Sequence, residues 1–200
     1  MVFKSEYLPG ASPLDPLEMQ GLIPEKVYSQ HQLNMLEQYN ILTAMRWLNH
    51  HTREILDENF ARKLHLKMFG EVWNWAGSYR RTPRIGIVGA SPEKIAENMH
   101  LLMADVRRWI NNETYTWPQI LALFHYNIVF IQPFPNGNGR FARTFTEALA
   151  KAHGQKIPTW GELKFNGVIS DNSQVRTEYI NALRRADDKK ISSLVDFLYS

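Results

Sequence analysis

The chain contains no cysteine. This excludes disulfides, thiolate chemistry and all-cysteine zinc sites, and it suits a reducing compartment such as the cytoplasm. Long apolar runs are also missing. The longest, around Leu121–Ile131, is broken by His125 and Asn127 and falls short of the ~20 residues a membrane span needs. Met1–Gly10 has no basic stretch followed by an apolar one, so no secretory signal is expected. Neither sign of charge dominates: 23 Lys and Arg oppose 20 Asp and Glu, for a formal net charge of +3. A nucleic-acid footprint would need that small excess clustered. The groups Arg80/Arg81/Arg84, Arg107/Arg108 and Arg184/Arg185 are short and read as solvated faces.

What remains is an ordinary globular composition, 44% hydrophobic and 22% charged over 200 residues, enough for one domain with a sizeable core. Residues 1–30 carry Pro9, Pro13, Pro16 and Pro24 and read as an extended arm packed on a single domain of residues 31–200. From there the pattern is helical. The spacing predicts helices over Gln32–His50 and over Asp57–Trp75, the second capped by Asp57 and ended by Gly77. Tyr79–Gly89 breaks the period and predicts a short β-hairpin flap. Ser91-Pro92-Glu93 starts a helix reaching Asn111 or Asn112. Trp117-Pro118 opens another, with Leu121, Phe124, Ile128 and Ile131 on one stripe; it stops at Gln132, which precedes a proline. A helix from near Gly139 to Gly154 follows, then Ser173–Ala186 and Ile191–Tyr199. The expected class is all-α with one small β-hairpin flap.

The segment Pro133–Arg143 carries the chemistry. A helix stops, a tight turn holds Gly137 and Gly139, and a new helix begins. The glycines permit positive φ and close approach of a ligand. Loop amides converging on a helix N-terminus make an anion site. Arg140 and Arg143, three apart, project from the same side of the first turn. Two guanidinium groups beside an amide nest suit a polyphosphate. The same features also occur at a plain helix–turn–helix corner.

Here the chain resembles the Fic family, whose pattern is His-Pro-Phe-x-(Asp/Glu)-Gly-Asn-Gly-Arg-x-x-Arg. The chain reads Gln132-Pro133-Phe134-Pro135-Asn136-Gly137-Asn138-Gly139-Arg140-Phe141-Ala142-Arg143. Trp73–Arg80 followed by Ile85-Gly86 is similar to the family's helix end and flap, and Tyr179, Ala182, Leu183 and Ala186 to its C-terminal helix. The whole chain, Gly10–Pro24 included, is similar to a subgroup called mobile mystery protein B, in which Asn is common at the position of Asn136. The resemblance implies a Fic-type helical bundle, bacterial and cytoplasmic. It implies transfer of AMP from ATP, with Mg²⁺, to a Tyr, Thr or Ser hydroxyl of a target protein. Gly137, Asn138 and Gly139 would cradle the phosphates, with a contact from the Asn138 side chain. Arg140 would pair with the phosphates and Arg143 with the γ-phosphate. Phe134 would pack in the core. The flap residues Thr82, Pro83, Arg84, Ile85, Gly86 and Ile87 would hold the target as an added strand. An antitoxin, the chain itself as a target and a second copy are the further candidate partners.

The chain departs from the pattern at two places. Gln132 stands where the family has the histidine that takes the hydroxyl proton. An amide has no usable basicity, and general base catalysis contributes ~10²–10⁴ in rate. His125 lies two helical turns away, out of direct reach, and reads as a core or surface histidine. Asn136 replaces the acid that would bind Mg²⁺, so the ion would be held mostly by substrate phosphates. Many family members are held off by a helix whose glutamate pairs with the second motif arginine. Leu33–Gln38 is the nearest match and makes Glu37 the inhibitory candidate, paired with Arg143. Three readings stay open: an adenylyltransferase impaired at Gln132, a nucleotide-binding pseudoenzyme that regulates a partner, and a relative that moves another phosphate-containing group such as phosphocholine or phosphate.

Overall fold

The structure is a computed structural model that describes residues 15–51, 54–84, 89–165, 173–188 and 190–200. The described part of the N-terminal arm begins with a single helical turn, α1 (Pro16–Met19), closed by a capping box between Asp15 and Glu18. The chain then lies along the turns that follow α3 (Glu58–Phe69). Ile23 N–H donates to Val72 O at 2.9 Å, Asn74 N–H donates to Gly21 O at 2.9 Å, and Leu22 pairs antiparallel with Trp73.

Ser29 caps α2 (Gln30–Leu48) by accepting from Gln32 N–H at 3.2 Å. Asp57 caps α3, as the pattern predicts, by accepting from Phe60 N–H at 3.0 Å. This helix ends earlier than predicted, at Phe69 with Gly70 as its cap. The reason is tertiary: Val72–Asn74 pair with the arm, which α geometry would forbid. Gly77 closes the turns that follow. Its φ is +77°, and a Cβ there would lie 2.9 Å from Arg62 O.

Pro92–Lys94 form a 3₁₀ turn, and α4 (Ile95–Asn111) continues from it. Then come α5 (Trp117–Ile131), α6 (Asn138–Ala152), α7 (Glu162–Phe165), α8 (Ser173–Asp187) and α9 (Ile191–Leu198). α5 is apolar nearly all round, as a central helix must be. It packs against α4, α6 and α9, and its stripe Leu121, Phe124, Ile128 and Ile131 is buried. Phe124, Phe145, Phe141 and Phe134 form a chain of ring contacts at 4.9–5.4 Å from the middle of α5 to the loop before α6.

The protein is thus all-α. The expected hairpin is not seen: the described residues contain no strand, and residues 85–88 lie outside them. The described part of that stretch has its polar groups engaged elsewhere, since Arg80 N–H donates to Pro133 O at 2.9 Å instead of to a hairpin partner. Among the described residues no helix is long and apolar enough to cross a membrane.

Candidate active site

The loop between α5 and α6 is held open from beneath. α5 ends with Gln132 in the left-handed region, φ 47° and ψ 64°, a conformation that costs a non-glycine residue ~1–2 kcal/mol. Two residues later the chain is anchored by Phe134, fully buried, with its ring centroid stacked 3.7 Å from that of His65. Asn138 grips the same residue: Phe134 N–H donates to its Oδ1 at 2.9 Å, and its Nδ2 donates to Phe134 O at 2.7 Å. Both polar atoms of the Asn138 side chain therefore hold the loop, and Nδ2 has a second N–H besides the one given to Phe134 O. Asn138 has its main-chain N–H left to offer.

His65 is the second prop. Its Nδ1 accepts from Gly77 N–H at 3.0 Å, so Nε2 carries the proton and donates to Asn136 O at 3.0 Å. Burial pushes its pKa down to about 3, with the charge of Arg140 adding to the effect against the Asn136 bond. It is a neutral spacer between the α3 turns and the loop. Both of its ring nitrogens are engaged.

The expected phosphate cradle falls at α6's first turn. Its cap residue is Gly137 at φ 75°, and no side chain caps the helix. The leading amides of a helix have no internal partners, and the helix dipole adds positive potential there. A Cβ on Gly137 would lie 2.5 Å from the Phe69 ring, so only glycine fits. Gly139 differs: its missing Cβ faces open space bounded by Arg143 Nη1 at 3.7 Å. Asn136 turns its Oδ1 onto Gly137 N–H at 2.6 Å, which weakens it as a cation ligand.

The two motif arginines have different surroundings. Arg140 Nη1 pairs with Glu37 Oε2 at 2.7 Å, with the guanidinium 4.9 Å above the Phe69 ring. Glu37 is buried on α2, and its other oxygen accepts from Trp73 Nε1 at 2.7 Å. Glu37 therefore meets the first motif arginine, not Arg143 as expected. Arg143 is half-buried, its guanidinium 5.8 Å from the Tyr179 ring centroid on α8. A 2.8 Å hydrogen bond joins the Tyr179 hydroxyl to His125 Nε2. His125 is fully buried and its pKa is pushed down to about 3 by burial and then by Arg143. It is a core histidine.

Arg176 and Arg80 escaped the sequence reading as site residues, whereas Arg84 was expected in the target-binding flap. Arg176, three positions before Tyr179 on the same face of α8, is a third cation. Its pKa is lowered by burial and then by the charges of Arg143 and Arg140. Arg80 and Arg84 were expected on a solvated face, but both are buried against the loop. Arg84 pairs with Glu18 of the arm at 3.3 Å, its side chain 5% exposed, and donates to Phe134 O at 3.0 Å and to Pro135 O. Arg80, 2% exposed, donates to Gln132 O at 2.7 Å. Thr82 donates its hydroxyl to Glu18 Oε1 at 2.7 Å. The Thr82 and Arg84 side chains are thus engaged within the molecule, and Ile85, Gly86 and Ile87 lie outside the described residues.

An uncapped helix N-terminus, two glycines and clustered arginines at one loop suit an anion. Residues 55–150 match the Fic/DOC family, and the chain belongs to it. It is 28% identical over 160 residues to "Protein adenylyltransferase Fic" of Drosophila melanogaster, covering 78% of this chain and 30% of that protein. It is also 28% identical over 146 residues to a "Probable protein adenylyltransferase" of Aquifex aeolicus, covering 69% of this chain and 40% of that one. The chain thus spans well under half the length of these relatives. In fold it is similar to the BepC protein, a VirB-translocated effector of Bartonella tribocorum solved with bound AMPPNP. The TM-score is 0.64 at 16% identity, covering 92% of this chain and 98% of that one.

Proposed function

We propose that the chain binds ATP at the α5–α6 loop and is built as a protein adenylyltransferase whose transfer step is impaired by Gln132. The observation that carries this is the uncapped N-terminus of α6, with Gly139 open to a ligand and Arg140 and Arg143 beside it. The main-chain amides of Asn138 and Gly139 would meet the phosphates, and Arg143 would meet the far end of the triphosphate. Mg²⁺ would neutralise phosphate charge. The ion would be held mostly by the substrate phosphates, with the Asn136 side-chain oxygen as a weak protein ligand. The names of the relatives supply the group transferred.

Transfer forms a bond between a target hydroxyl oxygen and the α-phosphorus, and pyrophosphate leaves. The hydroxyl proton must go to a base. Gln132 can orient the hydroxyl but cannot take that proton. Intact-mass spectrometry with ATP and Mg²⁺ tests this: Gln132→His should add AMP to a protein, the chain itself or a co-incubated target, ~10²–10⁴ times faster than the unsubstituted chain. Folded Gln132→His that adds nothing would contradict the reading, and an added mass other than AMP would identify a different transferred group. Gln132 also favours a second reading, a nucleotide-binding module acting on a partner such as an antitoxin. That reading predicts ATP binding with no transfer from either form.

A further inference from the structure

Arg80 is among the largest fully buried side chains of the protein. A guanidinium away from water is costly unless its N–H groups are bonded. Its side-chain N–H groups donate to main-chain carbonyls. Nε donates to Gln132 O at 2.7 Å, and Nη2 donates to Ile131 O at 3.3 Å and to Ala90 O. Nη1 donates to Thr82 O at 2.8 Å, and the Arg80 amide donates to Pro133 O at 2.9 Å. One residue thus holds three consecutive carbonyls, 131 to 133, at the end of α5. Carbonyls at a helix C-terminus are the negative end of its dipole and favour a cation. The middle one belongs to Gln132, the residue in the strained left-handed conformation.

We propose that Arg80 is a positioning residue for position 132. By fixing the carbonyl of that residue it fixes the direction in which the side chain leaves the backbone, toward the place where a target hydroxyl must sit. The same guanidinium ties Thr82 and Ala90 to position 132, so the chain on either side of residues 85–88 is set in one frame with it. The phosphate cradle, residues 137–143, is not among its partners. This inference rests on the AMP-transfer reading above.

The test uses the full chain carrying Gln132→His, alone and with Arg80→Lys. An ammonium has no planar fork to span these carbonyls. The expected result is a kcat for AMP transfer reduced ~100-fold, as for a displaced catalytic group, with ATP affinity by calorimetry changed less than about twofold. A parallel loss of ATP affinity and kcat would overturn the proposal, and so would full activity with lysine. If the double variant fails to fold, the ¹⁵N spectrum of the unsubstituted chain decides. The Arg80 Nε–H should be protected from solvent exchange, and exchange as fast as that of an exposed arginine would overturn the proposal. If Gln132→His alone transfers nothing, the AMP-transfer reading fails, and the Nε–H exchange then decides the placement of Arg80 by itself.

Discussion

Two buried neutral histidines lower the acid tolerance of this protein. His65 and His125 have unperturbed values of 6.5 and folded values of about 3, both lowered chiefly by burial. The unfolded chain therefore binds more protons between these limits. Their contribution is complete above pH 6.5 and is lost as pH falls toward 3. By pH 5 each should have cost about 2 kcal/mol of stability. Urea unfolding at pH 7.5 and pH 5 checks this; equal midpoints would contradict it. At Glu37 the charge and the hydrogen bond can be separated. Glu37→Gln keeps an acceptor for Trp73 Nε1 and releases Arg140 from its 2.7 Å ion pair. ATP affinity should rise about three- to tenfold, equivalent to ~1 kcal/mol or somewhat more. An unchanged affinity would remove Glu37 as a restraint on the site.

At the scale of elements, the turn into α6 puts two glycines to different uses. Gly137 has φ 75° and would drive a Cβ into Phe69 at 2.5 Å. Gly137→Ala should lower stability by about 2–4 kcal/mol, from strain and overpacking together. Gly139 sits inside α6 and faces open space. Gly139→Ala should leave stability equal or up to ~1 kcal/mol higher, since alanine is the better helix former. It should nevertheless weaken ATP binding about tenfold or more by placing a methyl where phosphate would approach. Thermal unfolding and calorimetry on the pair separate the two roles; equal ATP affinity in Gly139→Ala would mean the ligand does not approach there. The sequence shows both glycines but not this division, which depends on Phe69 arriving from α3.

Across the whole molecule, what could be read in the sequence was what is contiguous in it. The long helices announce themselves by apolar spacing and by caps such as Asp57, and the α5–α6 loop is one unbroken run of residues. The four-residue helices α1 and α7 are too short to show a period. The props of the site come from far along the chain. Arg80 and Arg84 look like a surface basic group until the turns after α3 fold them beneath residues 131–135. His65 looks like one histidine of a polar helix until Gly77 and Asn136 flank it. Arg176 joins the motif arginines only through the packing of Tyr179 against Arg143. Glu37 reaches Arg140 instead of Arg143 because Trp73, held by the arm, fixes one of its oxygens.

The proposed chemistry depends on the start of α6 holding a triphosphate. Calorimetric titration of the unsubstituted chain with ATP and Mg²⁺, repeated with Arg143→Ala at two salt concentrations, tests it most directly. One site per chain is expected, weakened by salt and by at least about tenfold in Arg143→Ala. Absence of binding at millimolar ATP, or binding that Arg143→Ala leaves unchanged, would contradict it.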